Sequence, residues 1–347
     1  MNSENLRCWF LKRRRALPWR GDPTPYQVWV SEIMLQQTQA VVVIAFFERW
    51  MQQFPTIKKL AEAHLDEVLK TWEGLGYYSR ARHLHAAARL IMEQYEGELP
   101  RDANELAKIK GIGPYTVGAI RSFAFKEKAA AVDGNVLRVI ARHDALEFPI
   151  DEMKTQKEIR QRVQNLLPDE APWEITEALI ELGATLCNKE PKCQQCPIQN
   201  SCLAFKQGRA KELPIRKARR QTELLYRVVA VVVCDNHLLV RRDEDKKIMS
   251  HLCQFPYFEI SREQKNEDNL HERVYLPLKL DLVKELSGQQ HTFTRFKAYL
   301  YPFLFKAEHR EKVEGFEWVS LQDVQKLPFS SGHRQVFQEL LIEKEQR

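Results

Sequence analysis

Four cysteines within sixteen residues, Cys187, Cys193, Cys196 and Cys202, constrain this chain more than any other feature. A C-x5-C-x2-C-x5-C run must fold around whatever its sulfurs hold, and four thiolates enclose either a tetrahedral zinc or an iron–sulfur cluster. Disulfide pairing is the competing reading. Against it, the chain opens without a charged-then-apolar signal segment, and Cys8, Cys234 and Cys253 show no pairing pattern. A reducing, cytoplasmic setting is therefore expected.

The run sits between two halves of different texture. From about residue 26 to 186 apolar residues recur every three or four positions, with breaks at Pro55, Gly74, Gly76, Gly97, Pro100, Gly111 and Gly113, so this half is expected to be all-α. The stretch 57–72 and the stretch 79–95 both predict amphipathic helices. After Glu223 the run YRVVAVVVC, an Asp235–Asn236 turn and LLVRR predict a β-hairpin. Further strands at 296–305 and 316–321 and a closing helix at 333–345 make this half α+β. The expected domains are 1–202, with the cysteine loop at 187–202, a basic interdomain connector at 203–224, and 225–347. A chain of 347 residues has room for about two such cores. No apolar run approaches a membrane span, so no membrane partner is expected. Net charge is +6, and within the connector the stretch 206–220 gathers Lys206, Arg209, Lys211, Arg216, Lys217, Arg219 and Arg220 against the single acid Glu212. Such a run suits a DNA backbone or a solvated linker equally well.

Three further segments carry chemistry. Lys110–Gly111–Ile112–Gly113–Pro114–Tyr115–Thr116 between two helical stretches has the form of a helix-hairpin-helix, in which Gly111 and Gly113 admit a phosphate to the start of the second helix. An ordinary helix-linking turn has the same form. About twenty residues on, Asp133 in Val132–Asp133–Gly134–Asn135–Val136 stands at the start of a helix, where it can cap the helix, remain ionised beside a cationic transition state, or both. Glu32 lies among apolar residues. Buried, its pKa would rise and it could act as a general acid; facing solvent, it would be an ordinary glutamate. The helix carrying it either continues past Gln36 or breaks at Gln37 with Thr38 capping the next one.

These segments, with Leu17–Pro18–Trp19–Arg20, Ser31–Glu32–Ile33–Met34–Leu35–Gln36–Gln37–Thr38 and Gly74–Leu75–Gly76–Tyr77–Tyr78–Ser79–Arg80, stand in one order over nearly the whole chain. The chain thereby resembles the MutY-type adenine DNA glycosylases of the helix-hairpin-helix superfamily. That resemblance implies an all-α helix-hairpin-helix glycosylase domain with a [4Fe–4S] loop on Cys187, Cys193, Cys196 and Cys202, followed by a Nudix-like recognition domain. It implies a bacterial-type, nucleoid-associated monomer that hydrolyses the N-glycosidic bond of adenine opposite 8-oxoguanine or guanine in duplex DNA.

The resemblance also assigns roles. Glu32 matches the general acid that protonates the purine, and Asp133 the carboxylate that stabilises the sugar cation, with Asn135 and Tyr115 orienting groups around it. Arg15, Leu17, Trp19 and Glu177 match the adenine pocket. Gln37 and Tyr77 match residues inserted beside the oxidised guanine, with Thr38 and Leu75 nearby. Phe293, Thr294 and Arg295 match the lesion-sensing loop, where Arg295 replaces a histidine and reduced discrimination between 8-oxoguanine and guanine is expected. Endonuclease III enzymes share the scaffold but carry a nucleophilic lysine where this chain has Tyr115, so a monofunctional enzyme is implied, with at most weak lyase activity from Lys110. The stretch 261–274 does not spell the metal box of a true Nudix hydrolase. The family's first cysteine loop is one residue longer than the five, Asn188 to Lys192, present here.

Overall fold

Local capping chemistry sets most helix boundaries in the computed structural model, which describes residues 1–218, 221–242 and 249–345. Helix α1 (Ser3–Arg13) starts under the Asn2 side chain, ahead of the region where the sequence pattern predicts helix. A Thr24–Gln27 capping box and Pro25 start α2 (Pro25–Leu35), and α3 (Ala40–Gln53) follows. The stretch 57–72 divides into α4 (Ile57–Glu62) and α5 (Leu65–Thr71) instead of forming one helix. The cause is His64, whose ring accepts from Asp66 N–H while Glu67 reaches back to the His64 N–H. Helices α6 (Ser79–Gln94), α7 (Ala103–Lys108) and α8 (Pro114–Ala119) lead into a π turn at Ile120–Ala124. Then come α9 (Gly134–His143), α10 (Met153–Leu166), α11 (Pro172–Thr185) and the short α12 (Leu203–Lys206). No helix among the described residues is long and apolar enough to cross a membrane.

The chain forms two compact units, Met1–Glu62 with His83–Arg219, and Ala63–Arg82 with Arg220–Arg347. The first is helical. Leu6 and Phe10 of α1, Val136 and Ile140 of α9, Ile159 and Val163 of α10, and Ile175, Leu179 and Leu182 of α11 share one buried cluster. Each such side chain contributes about 1.5–3 kcal/mol on burial.

The stretch 203–218, expected as a connector, folds onto this unit: Ala204 and Leu213 are buried, and Ile150 N–H donates to the Ile215 carbonyl at 3.0 Å. Its cations face acids of the same unit, Arg209 with Glu147, Arg216 with Asp151 and Lys217 with Glu152. Apolar side chains at 204 and 213 make this segment part of a core, which its basic composition conceals. Arg219 and Arg220 of the expected connector lie outside the described residues.

The second unit is built on eight described strands, β1 (Glu223–Cys234), β2 (His237–Arg242), β3 (Cys253–Gln254), β4 (Tyr257–Ile260), β5 (Leu280–Glu285), β6 (Gln289–Phe293), β7 (Phe296–Ala307) and β8 (Glu317–Ser320). Asp235 and Asn236, both at positive φ, close the β1–β2 hairpin, as an Asp–Asn pair should. Strands β1 and β7 run parallel at the centre, from Glu223↔Phe296 to Val233↔Lys306. Helices α13 (Leu321–Lys326) and α14 (Ser331–Glu345) complete the unit, with Val324, Val336, Phe337 and Leu340 packed on one sheet face beside Val229, Val231 and Leu300. The stretch 261–274 holds two 3-10 turns, Gln264–Asn266 and Leu270–Arg273.

Candidate active site

Glu32 lies near the end of α2 and is 5 % exposed, so the solvent-facing alternative is excluded. The Tyr115 hydroxyl donates to Glu32 Oε2. Burial pushes the Glu32 carboxyl up to about 7; the Tyr115 bond opposes this, the like charges of Asp133 and Glu177 add to it, and Arg20 opposes it. A carboxyl raised this far can still hold its proton near neutrality, the condition a general acid needs. Helix α2 stops at Leu35 because Gln36 turns out of the helical region at ψ 114°, and Gln37 follows at φ +57°. The break is at Gln37, but Gln39, not Thr38, takes the N-cap position of α3, and no side chain caps it. Gln37 is exposed.

Asp133 caps α9 and stands near enough to Glu32 for its charge to raise that carboxyl's pKa. Its Oδ1 accepts from the N–H groups of Asn135 (2.9 Å) and Val136 (2.8 Å), and its Oδ2 from Asn135 Nδ2 at 2.7 Å. Even so, burial raises its pKa, since three donors do not fully offset lost hydration. This differs from the expectation that a helix start alone keeps the group readily ionised.

Two glycines bring the walls of the site together. A Cβ on Gly118 of α8 would lie 2.3 Å from the Ala130 carbonyl, and one on Gly183 of α11 would lie 2.5 Å from Asn135 Cβ. Gly118→Val is expected to destabilise the protein by ~2–3 kcal/mol through overpacking. A thermal melt against the parent checks this, and an unchanged midpoint would mean that α8 yields freely.

Arg138 connects the acid to the cysteine loop. Its Nη2 donates to Asn135 Oδ1 (2.7 Å) and to the Gly183 carbonyl (2.8 Å), and its Nε donates to the Cys187 carbonyl (2.7 Å). The loop itself is folded by short turns, with Cys196 N–H bonded to the Cys193 carbonyl and Cys202 N–H to that of Gln199. Lys192 N–H donates to the Leu186 carbonyl at 2.9 Å, which closes the five-residue first segment. All seven cysteines are free thiols. Cys187, Cys193, Cys196 and Cys202 line one cavity with Arg142, Leu186, Pro191 and Phe205. Arg142 Nη1 reaches Cys187 Sγ at 3.5 Å. Among the described residues no three or more His, Cys, Asp or Glu side chains converge closely enough to hold a single metal ion. Four soft donors around one apolar cavity, one of them beside a guanidinium, fit a sulfide-bridged cluster that fills the space between them. Burial pushes the Cys196 thiol up to about 11 and raises Cys193 and Cys202.

Of the expected pocket residues, Trp19 is buried edge-on to Phe47, Leu17 is half-buried, and Glu177 lies 3.8 Å from Arg20 with its pKa raised by burial. Arg15 does not turn to Glu177. It binds Glu181, with Nε 2.7 Å from Oε1 and Nη2 3.0 Å from Oε2, while Arg20 Nη2 lies 2.7 Å from Oε2. Glu181 is fully buried and was not singled out from the sequence. The signal was there: an acid four residues after Glu177, in the otherwise apolar ALIELGATL.

Burial raises the Glu181 pKa, but Arg15 and Arg20 outweigh it and hold the carboxyl below its usual range. A depressed carboxyl stabilises the fold above its unfolded pKa and loses that contribution as pH falls through the folded one. Glu181→Ala is expected to lower stability at pH 7 by ~2 kcal/mol. Melting curves from pH 7 to pH 3 should show the gap to the parent closing in acid, and a constant gap would contradict this role.

In the hairpin, Gly111 has φ +95° and its Cβ would lie 2.9 Å from His83 Cβ, so glycine is required there twice over. Gly113 is extended at φ −88° with open space around it, so no special conformation calls for glycine. It caps α8 without a side-chain bond. In the second unit Leu75 is buried, whereas Tyr77, at φ +48°, is 44 % exposed. Phe293 faces Phe296 across the β6–β7 turn, and Thr294, at φ +49°, and Arg295 are exposed at its tip. Arg295 lies 3.1 Å from Glu223 Oε1 and over the Phe296 ring.

Residues 30–168 match the family model of the HhH-GPD superfamily base excision DNA repair proteins, and residues 228–339 match that of the NUDIX domain. The chain is 42% identical to the adenine DNA glycosylase of Rattus norvegicus over 60% of this chain and 43% of that one, so the match spans less than half of the mammalian protein's length. It is 32% identical to the adenine DNA glycosylase of Buchnera aphidicola subsp. Baizongia pistaciae, covering 71% of this chain and 70% of that one. With the Schizaphis graminum subspecies the identity is 29% over 92% of both chains. Among solved structures it is similar to a thermostable thymine-DNA glycosylase, with a TM-score of 0.55 and 26% identity over 59% of this chain and 95% of that one.

Proposed function

We propose that this chain, which belongs to the adenine DNA glycosylase family, hydrolyses the N-glycosidic bond of adenine mispaired with 8-oxoguanine or guanine in duplex DNA. The observation that carries the reading is the pairing of a buried carboxyl, Glu32, with a half-buried one of different character, Asp133. Glu32 is pushed to about 7 and held by Tyr115, and Asp133 is fixed by three N–H donors at a helix start.

The adenine first leaves the stack. Protonated Glu32 gives its proton to N7, the C1′–N9 bond breaks with its electron pair going to the departing base, and the ionised Asp133 offsets the positive charge left on the sugar. Water then adds to C1′ and loses a proton to solvent, which gives free adenine and an abasic site. Asn135 and Tyr115 orient the two acids, and Arg15, Leu17, Trp19 and Glu177 border the base. Tyr115 supplies no amine, so base removal proceeds without a Schiff base; Lys110, exposed in the hairpin, leaves room for weak strand cleavage at most.

Cys187, Cys193, Cys196 and Cys202 would hold a [4Fe–4S] cluster, which when bound cross-links the 187–202 loop. Iron and sulfide analysis of anaerobically prepared protein tests that assignment, and iron-free, fully folded protein would reject it. Gly111 and Gly113 would admit a DNA phosphate to the hairpin, with Gln37, Thr38, Leu75 and Tyr77 parting the bases and Phe293, Thr294 and Arg295 meeting the lesion. The protein would act as a monomer.

Excision should be assayed with adenine opposite 8-oxoguanine, guanine and each other normal base. Release confined to the first two is the expected result. No adenine release from any of these, with release of an oxidised pyrimidine from a control duplex, would favour the endonuclease III type.

A further inference from the structure

The loop carrying Leu75 and Tyr77 belongs to the same folded unit as the C-terminal sheet, although that sheet begins only at Glu223 in the sequence. It has three residues at positive φ, Gly74 (+100°), Gly76 (+74°) and Tyr77 (+48°), so regular local structure does not fix its shape. What fixes it lies on either side. Glu73 Oε1 accepts from Phe329 N–H at 3.0 Å and from Arg334 Nε at 2.7 Å, and its Oε2 accepts from Lys70 Nζ at 2.7 Å. Tyr78 Oη donates to the Phe329 carbonyl at 3.1 Å. Before the loop, Arg242 Nη1 contacts both oxygens of Asp66 at 2.9 and 2.8 Å. After it, Arg82 Nη1 donates to the Ser250 carbonyl at 2.9 Å.

The Glu73–Arg334 pair is largely shielded, with side chains 14 % and 13 % exposed, and the Arg334 guanidinium lies over the fully buried Phe329 ring. Arg334 belongs to the first turn of α14, and its neighbour Gly332 packs against the other recognition element. A Cβ on Gly332 would sit 2.3 Å from His291 Nδ1 on β6, two residues before Phe293, and His333 Nδ1 accepts from Phe255 N–H. One helical turn thus touches the β6–β7 hairpin and clamps the carboxylate beside the 74–77 loop.

We propose that Glu73 and Arg334 are positioning residues for base-pair opening: through the first turn of α14 they set the Leu75–Tyr77 loop in register with the hairpin at 293–295. The inference rests on the reading of Tyr77 as a residue inserted into the helix. A free loop would spread over many positions, and holding it lowers the barrier to parting the bases without adding contacts to the DNA backbone.

The test uses the full-length protein and a duplex with 2-aminopurine opposite 8-oxoguanine, whose fluorescence rises on unstacking. Glu73→Ala and Arg334→Ala are expected to cut the rise at saturating protein and to slow adenine excision from A:8-oxoguanine duplexes by at least ~10-fold, while affinity for undamaged duplex stays within ~2-fold. Arg334→Lys, which retains the charge, should recover most of the rise. Arg242→Gln makes the same measurement at the Asp66 end should Glu73→Ala not fold. Wild-type rises in the Glu73, Arg334 and Arg242 variants, alongside a lost rise in Tyr77→Ser, overturn the anchoring inference and leave the inserted-residue reading intact. An unchanged rise in Tyr77→Ser overturns that reading and the inference with it.

Discussion

Glu32→Gln is expected to reduce single-turnover adenine excision by ~10²–10⁴-fold, with affinity for mismatched duplex unchanged. Glutamine keeps the shape of the side chain and its bond to Tyr115 but has no proton to give. Protein stability should respond in the opposite sense. A carboxyl raised from the ordinary range to about 7 stabilises the fold below its unfolded pKa and loses that contribution as pH rises through 7, where a buried charge must form. The glutamine variant is therefore expected to melt higher than the parent at pH 8 and to converge with it or fall below it in acid. Tyr115→Phe removes the bond that favours the ionised form, so the pH at which activity falls should move up. Melting curves and pH–rate profiles of the three proteins check all of this. A glutamine variant excising at the parental rate would remove Glu32 from the chemistry.

Asp133 can be divided into its two roles by two substitutions, Asp133→Asn and Asp133→Ala. The first retains an oxygen able to accept from the N–H groups of Asn135 and Val136, while the second retains nothing. Both lose the charge that offsets the sugar cation, so both should slow excision by ~10²–10³-fold. Only the alanine variant should also lose the cap, lowering stability by a further ~1 kcal/mol. Equal melting points for the two variants would show that the cap contributes nothing at α9. Parental activity in Asp133→Asn, measured under single-turnover conditions, would show that the charge is not needed.

Burial, capping and the gathering of the cysteines were legible in the sequence where they depend on local pattern. An acid inside an apolar helix, an aspartate before a glycine and a helix, and a dense cysteine run each report their surroundings within a few residues. Residues whose partners lie far along the chain were not legible. Glu181 binds Arg15 and Arg20, about 160 residues away, and only the fold reveals that pairing. The 203–218 stretch read as a connector because its composition is basic, yet Leu213 is buried against the helical unit and its cations face acids at 147–152. The 63–82 segment read as part of the helical half because its periodicity is helical, whereas Asp66 and Glu73 bind Arg242 and Arg334. Periodicity fixes which face of a helix is buried, not which domain covers it.

The most direct test of the acid-pair account is the pH dependence of adenine release, under single-turnover conditions, from a duplex with adenine opposite 8-oxoguanine. The rate is predicted to rise as Asp133 ionises, at a pH above the ordinary carboxylate range, and to fall as Glu32 loses its proton near 7. That fall should be absent from the residual activity of Glu32→Gln. A parental rate that stays flat through pH 7, or that falls identically in the variant, would contradict the account.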